Sequence, residues 1–152
     1  MNLTSLNTYG ISVGGQYLPE LRKHQVIKHV GFNYTYLLSE KHTGQDMSLY
    51  VLDYLTHNFA FNLSNRLPLK NLDMSITYNF RQRSGSYLDY DSGQWEGYDP
   101  VHQLNVKVAY VYKWMKYYFS ARNLLDSKVS DFPYIPQPGR WIMLGVTGRI
   151  GL

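Results

Sequence analysis

No cysteine occurs in the 152 residues. Disulfides, thiolate zinc sites, iron–sulfur clusters and cysteine nucleophiles are therefore excluded. Charge is scarce as well: Asp, Glu, Lys and Arg make up 17% of the chain, against roughly 25% in ordinary soluble domains. The balance is mild, 15 basic against 11 acidic residues for a formal charge of +4, and it points to no nucleic-acid partner. Long apolar runs are missing. Stretches such as Val108-Ala109-Tyr110-Val111-Tyr112 fall far short of the ~20 residues of a spanning helix. Met1-Asn2-Leu3-Thr4-Ser5 has neither the basic start nor the apolar run of a secretory signal. Helical periodicity is hard to find. What the chain has in plenty is aromatic: Tyr 15, Phe 6 and Trp 3, or 16%. A composition this aromatic and this lightly charged argues against disorder.

The dominant pattern is alternation with period two. Leu72, Met74, Ile76, Tyr78 and Phe80 alternate with Asp73, Ser75, Thr77 and Asn79. Successive side chains of a strand point to opposite sides, so the segment has one apolar and one polar surface. Leu104, Val106, Val108, Tyr110 and Tyr112 repeat the device, as do Ile142, Leu144 and Val146, Phe59, Phe61 and Leu63, Val30 to Leu38, and Tyr9 to Val13. Seven strands are expected, near 5–18, 25–39, 55–66, 71–83, 101–112, 116–124 and 140–151. Several match the 9–11 residues of a transmembrane strand.

The connections alternate in length. Those at Pro19–His24, Leu67–Lys70 and Lys113–Met115 are short; those at Glu40–Tyr54, Ser84–Pro100 and Leu125–Gly139 are long. Short turns on one rim and long loops on the other are the pattern of an outer-membrane barrel. Charge divides in the same way. The short turns carry Arg22, Lys23, Lys70, Lys113 and Lys116 against Glu20. The long loops carry Glu40, Asp46, Asp53, Asp89, Asp91, Glu96, Asp99, Asp126 and Asp131 against Lys41 and Lys128. The expected fold is thus all-β: an antiparallel transmembrane β-barrel portion over residues 1–152, with about seven or eight strands of a larger barrel. A soluble antiparallel sandwich or barrel would alternate too, because one of its faces lines a core. In the membrane barrel the apolar face looks outward to lipid and the polar face inward to water.

Few residues suggest chemistry. The five histidines, His24, His29, His42, His57 and His102, lack the HExxH spacing of a zinc protease and read as surface or rim residues. No GxSxG elbow or phosphate loop is present. Gly10-Ile11-Ser12-Val13-Gly14-Gly15 is followed by no helix and is not a dinucleotide loop. The segment from Asp89 to Asp99 is richer. Asp89, Asp91, Glu96 and Asp99 could collect a hard cation, with Asp89 and Asp91 the first candidates, or serve only as turn residues. Tyr87, Tyr90, Trp95 and Tyr98 could stack on a ligand or border a membrane.

Toward the C-terminus, Ser120-Ala121-Arg122-Asn123-Leu124-Leu125-Asp126 resembles the penultimate strand of TonB-dependent outer-membrane receptors, where an Asn-Leu-Phe-Asp-type run closes the strand. Pro138-Gly139-Arg140-Trp141-Ile142-Met143-Leu144-Gly145 resembles the opening of their last strand. Asn123, Leu124, Asp126, Pro138, Gly139 and Arg140 carry this likeness. Tyr50-Val51-Leu52-Asp53-Tyr54-Leu55-Thr56-His57 is similar to a stretch of vitamin B12 receptors. The chain ends on Leu152, where the family usually ends on an aromatic residue. The resemblance implies part of a plugged 22-stranded barrel, with the plug domain and most strands outside this sequence. It implies the outer membrane of a Gram-negative bacterium, contact with lipid, and energy from TonB acting through the plug. It also implies a large scarce nutrient as ligand, cobalamin or a ferric siderophore. No cofactor and no bond-making chemistry are expected. The alternative is a self-contained small outer-membrane barrel with a structural or adhesive role, its eighth strand near 47–55. A barrel enzyme lacks a recognisable nucleophile and base.

Overall fold

The computed structural model describes residues 6–20, 26–41, 55–67, 69–89, 92–128, 130–132, 135–136 and 138–148. They form eleven strands: β1 (Leu6–Tyr17), β2 (Ile27–Lys41), β3 (Leu55–Arg66), β4 (Leu72–Arg83), β5 (Ser86–Leu88), β6 (Trp95–Gly97), β7 (Val101–Tyr112), β8 (Met115–Arg122), β9 (Ser130–Phe132), β10 (Ile135–Pro136) and β11 (Trp141–Gly148). Seven of them make one antiparallel sheet in the order β1-β2-β3-β4-β7-β8-β11. The seven long alternating segments are these seven strands. Two long connections hold small ribbons that period-two reading passed over: β5 pairs with β6, and β9 with β10. The sheet is open, since β1 and β11 are its edges. The stretch 47–54 lies outside the described residues.

Up-and-down order puts the connections β1–β2, β3–β4 and β7–β8 on one rim, and β2–β3, β4–β7 and β8–β11 on the other. Two short turns owe their tightness to left-handed backbone. Asn71, at φ 66°, closes the turn into β4, and Lys113, at φ 54°, opens the two-residue turn between β7 and β8. Primed hairpin turns demand positive φ at that first position. β8 ends at Arg122 instead of continuing to Leu124 because Asn123 turns left-handed, at φ 49°.

The pairing puts all the apolar alternations on one face. Tyr17, Val30, Leu63, Ile76, Val106, Ala121 and Ile142 form a row of direct partners across all seven strands. This row meets β1 at its last residue, on the short-turn rim, and β11 at its second residue, on the long-connection rim. The strands therefore slide steadily past one another. From the middle of β1 to the middle of β11 the slide is about eight residues in six steps, or ~27 Å along the strands for ~29 Å across them. That corresponds to a tilt of roughly 40–45°, within the range of closed barrels.

No second layer covers the sheet among the described residues. Every contact between elements runs between hydrogen-bonded neighbours. Ala109 and Ala121 are the only buried hydrophobic side chains there, while Ile11 is 67% and Leu144 is 81% exposed. A sandwich of this length would bury a core between two layers. Here an apolar face seven strands wide stands open, far beyond the few hundred Å² that soluble monomers expose.

Candidate functional site

The polar face holds a concavity of about 720 Å³. Ser75 and Thr77 of β4, Gln103, Asn105 and Lys107 of β7, Ser120 and Arg122 of β8, and Trp141 and Met143 of β11 line it. Lys107 Nζ rests 5.0 Å from the Tyr118 ring centroid. Asp73, on the same face, is taken by Lys28 at 2.6 Å, and both are exposed enough for this pair to contribute only about 0–1 kcal/mol. The wall is hydroxyl-, amide- and cation-bearing, which suits water or a polar solute.

At its upper end the two C-terminal motifs meet. Asn123 is 4% exposed. Its Nδ2 donates to the Ser127 carbonyl at 2.9 Å, and its Oδ1 accepts from the Ser127 N–H at 3.1 Å. The Asn123 N–H donates to Asn105 Oδ1 at 2.9 Å, and the Leu124 N–H to the Leu104 carbonyl at 2.8 Å. The Asp126 N–H closes the turn on the Asn123 carbonyl at 2.9 Å, and Asp126 Oδ1 accepts the Arg140 N–H at 2.8 Å. Asn123 and Asp126 thus fasten the end of β8 to β7 and to the start of β11. Leu124 is exposed, and Pro138 and Gly139 line the concavity. A Cβ on Gly139 would lie 2.8 Å from Asp126 Oδ1. Gly139→Ala is expected to break the Asp126–Arg140 bond and to lower stability by about 1 kcal/mol. The denaturant midpoint of the folded protein reads this, and an unchanged midpoint would mean that the carboxylate simply steps aside.

The β4–β7 connection rises as the β5–β6 hairpin, with partners Ser86–Gly97, Tyr87–Glu96 and Leu88–Trp95. Tyr87 and Tyr98 meet at 5.3 Å between ring centroids, and the Arg83 guanidinium lies 5.9 Å from the Tyr98 ring centroid. Trp95 belongs to the other face of the ribbon, paired with Leu88, and is 55% exposed. The aromatics therefore split: Tyr87 and Tyr98 form one cluster and Trp95 stands apart, while Tyr90 lies outside the described residues. Asp91 does too. Asp89 Oδ2 accepts the Ser92 N–H at 3.1 Å, and the Asp89 carbonyl accepts the Gly93 N–H at 2.7 Å. This is turn chemistry. No group of three or more potential metal-binding side chains converges among the described residues. The Tyr87 hydroxyl donates to Glu96 Oε2 at 3.3 Å. Desolvation, and then the carboxylates of Glu96, Asp89 and Asp99, push its pKa above the ordinary tyrosine value.

On the apolar face two histidines are held in the same way. Tyr34 Oη lies 2.7 Å from His57 Nδ1, and Tyr78 Oη lies 2.8 Å from His102 Nδ1. Rings of Tyr36 and Phe80 flank them at 5.0 Å. Sequence reading left both histidines among rim residues, because only strand order brings each beside its tyrosine. The stretch 50–54 of the vitamin B12 receptor likeness lies outside the described residues. No protein-family model, no curated protein and no solved structure matches the chain.

Proposed function

We propose that this chain is wall and outer loops of a TonB-dependent receptor in the outer membrane of a Gram-negative bacterium, importing a large scarce nutrient such as cobalamin or a ferric siderophore. One observation carries the membrane part of this reading. Between two lines of polar-tipped rings that mark its ends, the apolar face of the seven-stranded sheet bears no Asp, Glu, Lys or Arg among the described residues; Glu40, the partner of Asn7, lies beyond Tyr9 on the long-connection side. Val13, Tyr34, Phe59, Phe80 and His102 are direct partners across five strands. Tyr9 lies four residues beyond Val13 toward the long-connection rim. The line from Tyr9 through His57 to His102 therefore slopes with the stagger of the strands. The line from Tyr17 to Tyr110 slopes equally, because Tyr110 lies four residues past Val106, the partner row of Tyr17. The two lines are eight residues apart on β1 and on β7, or ~27 Å along a tilted strand. Projected on the barrel axis this is roughly 19–21 Å, close to the ~25 Å apolar band of outer-membrane barrels.

The receptor part rests on the Asn-Leu-Leu-Asp and Pro-Gly-Arg motifs, which the fold joins through Asp126 and the Arg140 N–H. In this reading the remaining strands and the plug belong to the rest of the receptor, and β1 and β11 are the edges that they would meet. The test is uptake. The full-length protein, expressed in cells of an outer-membrane bacterium, should accumulate labelled cobalamin or a ferric siderophore only when TonB is present. Normal surface assembly with no TonB-dependent uptake of either would overturn the receptor reading and favour the structural barrel.

Within that protein the hairpin is the outermost contact. Replacing Tyr87 and Tyr98 with Ala removes one joined ring cluster and is expected to weaken ligand binding about tenfold while assembly stays normal, each stacked ring being worth ~0.5–1.5 kcal/mol. Unchanged affinity would assign the pair to the membrane rim.

A further inference from the structure

We propose that His57 and His102 form a phosphate-recognising pair that binds lipid headgroups at the long-connection rim. The proposal rests on the membrane reading above. The same construction occurs twice, on β2 with β3 and on β4 with β7: a tyrosine hydroxyl on Nδ1 and an aromatic ring alongside. In the tautomer that lets the phenol donate to Nδ1, the imidazole proton lies on Nε2. If the ring takes a second proton, the hydroxyl becomes the acceptor and the contact persists. In both states Nε2–H is a donor. Neither Nε2 has a partner among the described residues. Glu40, on the same face of β2, lies four residues beyond Tyr36, the partner of His57, and no other Asp or Glu among the described residues shares the face beside either ring, which leaves room for an acceptor from outside.

Position selects that acceptor. His57 stands two residues beyond Phe59, whose partner row runs through Phe80 to His102. The two imidazoles are thus about 10 Å apart across the strands and about 7 Å along them. That offset follows the slope of the aromatic line, so both histidines lie at one depth in a membrane. Interfacial rings sit at headgroup level, where the anionic acceptors are phosphate oxygens. A free phosphate ion has the same chemistry but no reason to collect at an apolar face.

The experiment uses the full-length protein in phosphatidylcholine nanodiscs with spin-labelled lipids. Spin-labelled phosphatidic acid is expected to be held at the protein surface about fivefold more strongly than spin-labelled phosphatidylcholine. The double variant His57→Phe with His102→Phe keeps the rings and should bring that ratio near one. Inorganic phosphate in the buffer should not displace the lipid. An unchanged ratio in the double variant, or displacement by inorganic phosphate, overturns the proposal. Absence of any protein-restricted lipid in the wild type overturns the membrane reading itself, whereas restricted lipid without selectivity overturns only the histidine pair.

Discussion

Replacing Ile76 with arginine is expected to abolish assembly into the membrane, while the same replacement at Thr77 leaves it intact. Ile76 sits near the middle of the apolar face, between its partners Leu63 and Val106. It lies well inside both rows of polar-tipped rings, so a guanidinium there cannot reach water without crossing several residues of lipid-facing wall. Near the midplane of a barrel such a charge costs about 2–4 kcal/mol, a large share of the 5–15 kcal/mol that holds a typical protein folded. Thr77 points to the other side, between Asn62 and Asn105, and lines a concavity of about 720 Å³. A longer polar side chain has room and water there. Urea-resistant membrane fractions and heat-dependent gel mobility read the outcome. Equal loss from both substitutions would mean that the apolar face packs on protein, and the membrane proposal would be overturned.

Alternation alone separates Ile76 from Thr77, and the reason is geometric. A period of two is a local property, so the seven long strands and the composition of both faces were legible from the sequence. Register is not local. The stagger of the sheet depends on Tyr17 pairing with Val30 and Ile142 with Ala121, and no single segment carries that information. Ribbons of two or three residues, such as Ser86–Leu88 with Trp95–Gly97, are too short to show a period against a polar loop. The outer hairpin was legible as a site but not as a geometry. Four aromatics in one loop suggest a platform, yet pairing sends Tyr87 and Trp95 to opposite faces of the ribbon. The histidines show the same limit. His57 and His102 stand 45 residues apart in sequence, and they become comparable only when β4 lies between β3 and β7.

Asn123→Ala is expected to be the most damaging single change outside the apolar face, for two separable reasons. The first is conformational. Asn123 has φ 49°, a left-handed backbone that asparagine tolerates and that strains alanine by roughly 1–2 kcal/mol. The second is polar. The side chain bonds both the carbonyl and the N–H of Ser127, and a partly buried backbone group left unpaired costs about 1–3 kcal/mol. Together they predict a loss of about 2–5 kcal/mol in stability, read from the denaturant midpoint of the folded protein. Asn123→Gly divides the two terms. Glycine adopts this φ freely, so it removes only the bonds to Ser127 and should lose about half as much. Asn105→Ala provides the third measurement. It deletes the acceptor of the Asn123 N–H without touching φ and should cost about 1–3 kcal/mol. If the asparagine is the fastener of β8 to β7 and β11, the order of damage is Asn123→Ala beyond Asn123→Gly. A loss at Asn123→Ala within the ~0.5 kcal/mol of ordinary surface substitutions would show that the turn holds itself. The junction of the two C-terminal motifs would then depend on Asp126 and the Arg140 N–H alone.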